Sequence, residues 1–236
     1  MRKYTAIILA SRDVNEVNRL YVMYTLEQGL VKVIAKGVRK PAAKLAGHLE
    51  PGTLSEIYVA RSRGIGQITG AITLNNFDNI RKNFEKLIEV FRVFQFFLKN
   101  FSEEEKDERI FKLLCEFLTR VESLSFNKSP ILEVEAFWWK LFDALGNGPE
   151  IMKCADCKKK LHANFKKYFS FEKGGTVCAA CVANFKGLIS ISNNQIKLLR
   201  VFWGNSLEKI TKVKIGEKEL EKLITIRENY TKYHFH

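Results

Sequence analysis

Arg19-Leu20-Tyr21-Val22-Met23-Tyr24-Thr25-Leu26, then Glu27-Gln28-Gly29, then Leu30-Val31-Lys32-Val33-Ile34-Ala35-Lys36: two runs rich in β-branched and aromatic residues flank three residues that end in glycine. This is the pattern of a β-hairpin whose glycine takes a positive φ. Upstream, residues 4–10 read as another strand; downstream, residues 53–60 and 67–74 read as two more. Between the third and fourth strands, residues 38–51 contain a helix-compatible stretch at 42–49. Five strands with one short helix after the third is the order of an OB barrel.

From Asn76 the apolar period changes from two to about 3.6. Ile80, Phe84, Leu87, Ile88, Phe91, Phe94 and Leu98 predict one long helix. Ser102 with Glu105 has the form of a capping box for a second helix, so Glu103 to Glu105 read as first-turn carboxylates favoured by the helix dipole. Ser129-Pro130 marks the start of a third helix and Gly146 its end. After a cysteine-bearing insert, Ser192 with Gln195 opens another helix, and a last one spans about 217–233. The expectation is an α+β chain of several domains. A five-stranded OB-fold β-barrel occupies residues 1–76, an α-helical domain 77–150 and 185–236, and a four-cysteine zinc finger is inserted at 151–184.

The insert carries the most specific local motif. Cys154-Ala155-Asp156-Cys157 and Cys178-Ala179-Ala180-Cys181 are two CxxC pairs at the spacing of a four-thiolate zinc site, with the Gly174-Gly175 turn between them. Four thiolates leave no open coordination position, which predicts one structural Zn2+ per chain. A redox pair or unliganded buried thiols are the alternatives, although a thioredoxin-type site needs only one pair. Cys115, at helical spacing with Phe111 and Leu118, reads as a core residue.

The 236 residues carry 39 Lys and Arg against 26 Asp and Glu, a net +13 that points to an acidic partner. The charge is uneven: +6 over 1–74, −2 over 75–149, +5 over 150–191 and +4 over 192–236. In OB barrels oligonucleotides lie across strands two and three, between the loops joining strands one to two and four to five. Arg12, Arg19, Lys32, Lys36, Arg61 and Arg63 fall at those places, and Arg39, Lys40 and Lys44 extend the group, so these nine are the candidate DNA-binding residues. Tyr21 alternates onto the face of Arg19, either to stack a base or to pack within the hairpin. Lysines 158, 159, 160, 166 and 167 form a second basic group around the cysteines, as a contact surface or simply for solubility.

Several classes are disfavoured. There is no GxxxxGK[ST] loop, no HExxH and no acidic cluster beyond the helix cap, so an enzyme is not expected. The apolar stretch behind Arg2 and Lys3 stops at Ala10, and no run nears the roughly 18 apolar residues of a membrane span. A cytoplasmic protein without membrane contact is expected, its cysteines kept as thiols or metal ligands.

Ala6-Ile7-Ile8-Leu9, Asn15-Glu16-Val17-Asn18-Arg19-Leu20, Gly29-Leu30, Ala35-Lys36-Gly37-Val38-Arg39-Lys40 and Arg63-Gly64-Ile65-Gly66, followed by helices and an inserted four-cysteine finger, together resemble the bacterial RecO family along the whole chain. In place of the Asp that often precedes the family's Arg-Leu pair, this chain has Asn18. The resemblance implies a non-catalytic mediator of recombinational repair that binds single- and double-stranded DNA and anneals complementary strands. It also implies partners: RecR, RecF through RecR, the C-terminal tail of the single-stranded-DNA-binding protein, and RecA indirectly. Lys36, Arg39, Lys40 and Lys44 match the family's basic region after strand three, and the cysteines match its finger. The alternative is a protein-binding zinc scaffold without annealing activity.

Overall fold

The computed structural model describes residues 1–236 apart from 42, 44, 61–63, 104, 211–214 and 236. It forms two compact units, Met1–Ser129 and Pro130–His236.

In the first unit the period-two alternation of the N-terminal third produces β1 (Arg2–Asp13), β2 (Arg19–Thr25), β3 (Gly29–Ala35), β4 (Leu54–Ala60) and β5 (Gly66–Asn75). They close into a barrel in the order β1-β2-β3-β5-β4, with β1 antiparallel to both β2 and β4. The parallel pairs Val33 with Gly66 and Ile34 with Gln67 complete the closure. Every second residue faces inward, so Ala6, Ile8, Tyr21, Met23, Val33 and Ile57 fill the core, and Leu49 packs with them. The segment after β3 makes only a short 3₁₀ turn, Ala46–His48, where a helix over 42–49 was expected. Leu49 is nevertheless fully buried, so a single turn suffices to bring it into the core.

The hairpin turn has the expected glycine, with φ at +71°. A Cβ there would lie 2.1 Å from the Glu105 carbonyl oxygen, a backbone atom that cannot swing aside. Gly29→Ala combines left-handed strain with that overlap and should lower stability by about 1–3 kcal/mol in urea unfolding. An unchanged midpoint would show that the chain around Glu105 yields freely.

Three helices follow: α1 (Asp78–Lys82), α2 (Phe84–Asn100) and α3 (Glu108–Ser123). The single helix expected from residue 80 is thus broken at Asn83. Asn83 has extended backbone, and its side chain accepts from the Lys86 amide at 3.1 Å, the N-cap role in which asparagine competes best with helix continuation. Buried Lys86 donates from Nζ to the Leu124 carbonyl at the end of α3, 2.7 Å away. On the other side, Tyr24 of β2 meets Phe97 and Phe101 edge-on at 5.0 and 5.4 Å, which joins the helices to the barrel.

The capping box at Ser102 and Glu105 does not form. Glu103 bridges Leu30 of β3 and pairs with Lys32, so this stretch is drawn along the barrel edge. The helix starts later, where the Asp107 side chain accepts from the amides of Arg109 and Ile110. The carboxylates of Glu103 and Glu105 therefore serve no first turn, and Glu104 lies outside the described residues.

The second unit contains α4 (Ile131–Ala144), a sheet of β6 (Lys167–Ser170), β7 (Gly175–Cys178) and β8 (Ile189–Ile191), then α5 (Asn193–Gly204), α6 (Leu207–Ile210) and α7 (Glu217–His234). Helix α4 begins after Pro130 and ends before Gly146, as expected. The Ser192–Gln195 box forms in full, each side chain accepting from the other's amide. Trp139, Phe142, Phe169 and Tyr230 make the aromatic centre, so strand β6 of the insert shares the core of α4 and α7.

Candidate nucleic-acid interface and metal centre

Strand register decides which basic residues can act together. Arg12 stands opposite Leu20, and Lys32 opposite Val22. These positions alternate with the core residues Tyr21, Met23 and Val33 and so lie on the other face of the sheet. They line a groove of about 740 Å³ whose wall also includes Gly64, Ile65, Gly66 and Glu103. Strands two and three and the turn before strand five meet there, where the barrel's pattern places an oligonucleotide.

Arg19 is one step out of phase with Arg12. It faces Asp13, with Nε 2.8 Å from Oδ1, and Arg39 approaches Oδ2 of the same carboxylate at 3.4 Å. The Arg19 hydrogen bond holds the Asp13 carboxyl below the usual carboxylate range. Arg39 also donates to the Asn15 carbonyl at 2.9 Å, so it ties the β1–β2 loop to the chain after β3. Asn18 contributes to the same closure by accepting from the Gly37 amide. Tyr21 is buried in the barrel core, which excludes base stacking in this conformation.

The nine candidates therefore do not form one uniform surface. Arg12 and Lys32 share the groove, although Lys32 is paired with Glu103 at 2.6 Å. Lys36 and Lys40 are exposed beyond β3 and make no ion pair with a described residue. Arg19 and Arg39 share Asp13. Lys44, Arg61 and Arg63 lie outside the described residues.

The four insert cysteines do converge. Their sulfurs all lie within 4.8 Å of one another, with Cys157 to Cys178 at 3.8 Å and Cys178 to Cys181 at 3.7 Å. Local backbone explains the approach. The Cys154 amide donates to the Lys159 carbonyl and the Lys158 amide to the Cys154 carbonyl, closing a turn in which Lys158 takes a φ of +61°. The β6–β7 hairpin returns the second pair, and the Cys178 amide points at the Cys154 sulfur, 3.4 Å away.

Burial opposes ionisation of Cys154. Amides of Cys178, Cys157 and Asp156 directed at its sulfur outweigh that and bring the thiol down to about 7. Four converging sulfurs, with backbone amides directed at that of Cys154, fit a metal ion, which would cross-link the two turns and do no further chemistry. Cys115 takes no part: it is half-buried on α3, and burial pushes its thiol up to about 11.

Comparison with known proteins is consistent along the chain. Residues 1–77 match the family model described as Recombination protein O N terminal, and residues 81–236 the model described as Recombination protein O C terminal. The chain belongs to the RecO family. It is 35% identical over 228 residues to the DNA repair protein RecO of Dehalococcoides mccartyi, covering 96% of this chain and 88% of that one. The RecO of Desulforamulus reducens is 25% identical over 98% of this chain and 89% of its own. That of a Roseiflexus species is 29% identical over 86% and 70%.

As a RecO-family DNA repair protein, the chain combines a closed five-stranded barrel with helices and a cysteine cluster able to hold a metal. No described helix is long and apolar enough to cross a membrane. Sequence reading missed the roles of two carboxylates in this RecO barrel. Asp13 and Arg19 meet because they are directly paired across a hairpin, a signal available from register. Glu103 reaches Lys32 from more than 70 residues away, and no local pattern announces it.

Proposed function

We propose that this chain is a non-catalytic DNA-binding mediator of recombinational repair, which anneals complementary strands and helps place RecA on single strands coated by the single-stranded-DNA-binding protein. Its partners in this reading are single- and double-stranded DNA, RecR, RecF through RecR, the C-terminal tail of the coating protein, and RecA indirectly, within the cytoplasm at the nucleoid. Residues 1–76 serve as the nucleic-acid-binding domain, and the cysteine cluster holds a structural Zn2+. The observation that carries the reading is the groove across β2 and β3, with Arg12 and Lys32 in its wall and Lys36 and Lys40 exposed just beyond.

Such cations attract phosphates without reading sequence, and contact releases condensed counterions. Complementary strands held on one basic surface can then meet while their bases stay free to pair.

Mixing complementary strands, bare or coated, with and without ATP tests the proposal. Duplex formation should accelerate without ATP; no acceleration on either substrate would leave the scaffold reading. Charge supplies the finer test. Replacing Arg12, Lys36 and Lys40 by alanine should flatten the logarithmic salt dependence on single strands by about 2, at roughly 0.7 per phosphate contact. Glu103→Gln, which releases Lys32, should act in the opposite direction and tighten binding by up to about five-fold, the range of one exposed ion pair. An unchanged slope in the triple variant together with unchanged affinity in Glu103→Gln would move the site off this groove.

A further inference from the structure

The cysteine-bearing lobe has a concavity of its own, of about 380 Å³, lined by apolar Leu161, Phe165, Ala179 and Ala180 together with Lys159, Lys160 and Lys166. All three lysines are exposed, and their ammonium groups make no hydrogen bond or ion pair with a described residue. No carboxylate lines the pocket. Phe165 is 64% exposed and stands edge-on to His162, with ring centroids 6.3 Å apart.

An apolar ring this exposed would ordinarily be free to fold away on a mobile loop. Here the backbone beneath it is fastened. Lys167, which the sequence grouped with the surface lysines, is buried, and its Nζ donates to the Phe165 carbonyl at 2.8 Å, the Ala163 carbonyl at 3.4 Å and the Asn193 side chain at 2.8 Å. Asn193 in turn donates to the Ala163 carbonyl at 2.9 Å. The ring is thus presented from a preorganised loop, which lowers the ordering cost of any ligand that uses it.

We propose that this pocket receives one unstacked nucleobase of a single-stranded nucleic acid, the base lying on Phe165 and the flanking phosphates on Lys159, Lys160 and Lys166. The inference rests on the DNA-binding reading above and adds to it a second site, outside the barrel. An aromatic face set among unpaired ammonium groups is the combination that holds single strands without sequence preference. A duplex keeps its bases stacked and offers this ring nothing. An acidic peptide with an apolar end has the same charge sign, and the experiment separates it.

The test uses full-length, metal-replete protein, a dT oligomer, a duplex of equal length, and an Asp-rich peptide ending in an apolar residue, each labelled for anisotropy. Phe165→Ala should weaken dT binding at least about five-fold, the lower end for loss of one stacking aromatic. Duplex affinity and the salt slope should stay unchanged, and Phe165→Trp should restore binding. Replacing the three lysines by alanine should lower the slope on dT by about 2. Because Phe165 is exposed, both variants should keep their metal content and melting temperature.

If Phe165→Ala leaves dT binding unchanged, the proposal is overturned while the barrel reading stands. If it weakens only the peptide, the pocket belongs to an acidic protein tail. If the wild-type protein binds no strand even in dilute buffer, the DNA-binding reading itself fails and takes this one with it.

Discussion

If the cysteine cluster holds the proposed structural Zn2+, Cys154→Ser should lose it, falling from about one ion per chain to well under a tenth after brief exposure to a chelator. The same variant should open the lobe around the site while leaving the barrel intact. Structural zinc in small lobes contributes on the order of 10–16 kcal/mol of apparent binding free energy, and where no site preexists in the unfolded chain that energy is folding energy. Cys154 is the ligand to remove because it is buried and its sulfur faces three backbone amides, whereas Cys157 is exposed. Serine at 154 offers the metal a poor ligand and leaves those amides facing a weaker acceptor. The hydrogen bonds from the amides of Cys154 and Ala155 to Lys159 and Thr176 should then exchange with solvent many-fold faster. The barrel amides of β1 to β5 should keep their protection, and Cys115→Ala should keep its metal. Unchanged melting and exchange in Cys154→Ser would end the structural account of the site.

What was legible beforehand follows a physical division. The barrel was readable because alternation is local: Tyr21, Met23, Val31 and Val33 share one face of their strands. Five strands with a short helix-compatible stretch after the third follow the sequence order of an OB barrel, whereas the parallel β3–β5 closure has no local signature. The cysteine cluster was readable because two CxxC turns predispose their sulfurs to one centre whatever surrounds them. The Ser192–Gln195 box formed with both side chains also held by Glu219, whose carboxylate accepts from Ser192 Oγ and whose carbonyl accepts from Gln195 Nε2. The Ser102–Glu105 box, chemically its equal, failed because Glu103 found a strand edge and a lysine instead. Local capping contributes about 1 kcal/mol, too little to resist such pairing.

The site divides in the same way. Basic residues could be counted along the chain, but their neutralisation depends on register and on distant segments. Arg19 and Arg39 looked free until the hairpin set Asp13 between them. Lys167 looked like one more solvated lysine until β6 placed it beneath the Phe165 loop, where its ammonium became a structural fastener. A charge run therefore reports the sign of a partner well and the identity of the contacting residues poorly.

The pair of Glu135 on α4 and Arg227 on α7 gives the other large expected effect, and its sign is opposite to the usual one for a salt bridge. Arg227 Nε donates to Glu135 Oε1 at 2.7 Å, yet the other oxygen, Oε2, has no hydrogen-bond partner among the described residues. Complete burial outweighs the nearby guanidinium and raises the Glu135 carboxyl from 4.5 to about 7. A group whose folded pKa is raised binds its proton more tightly in the folded state. Its contribution to stability is full below pH 4.5 and is lost as the pH rises through about 7. At 1.36 kcal/mol per unit, that loss is on the order of 3 kcal/mol.

Glutamine mimics the protonated form at every pH. Glu135→Gln should therefore match the wild type near pH 4.5 and exceed it progressively, by up to about 3 kcal/mol at pH 8. Taking the difference between the two proteins cancels the carboxylates with lowered pKa, such as Asp13 and Asp107, which lose stability in the other direction as the pH falls. Arg227 keeps Glu228 within 3.7 Å and lies over the Trp138 ring at 5.6 Å, so it is not stranded in the variant. If the ion pair were instead net stabilising, removing one partner would cost about 3–5 kcal/mol at pH 8. Urea unfolding of both proteins across pH 5–8 decides between these outcomes, because they differ in sign.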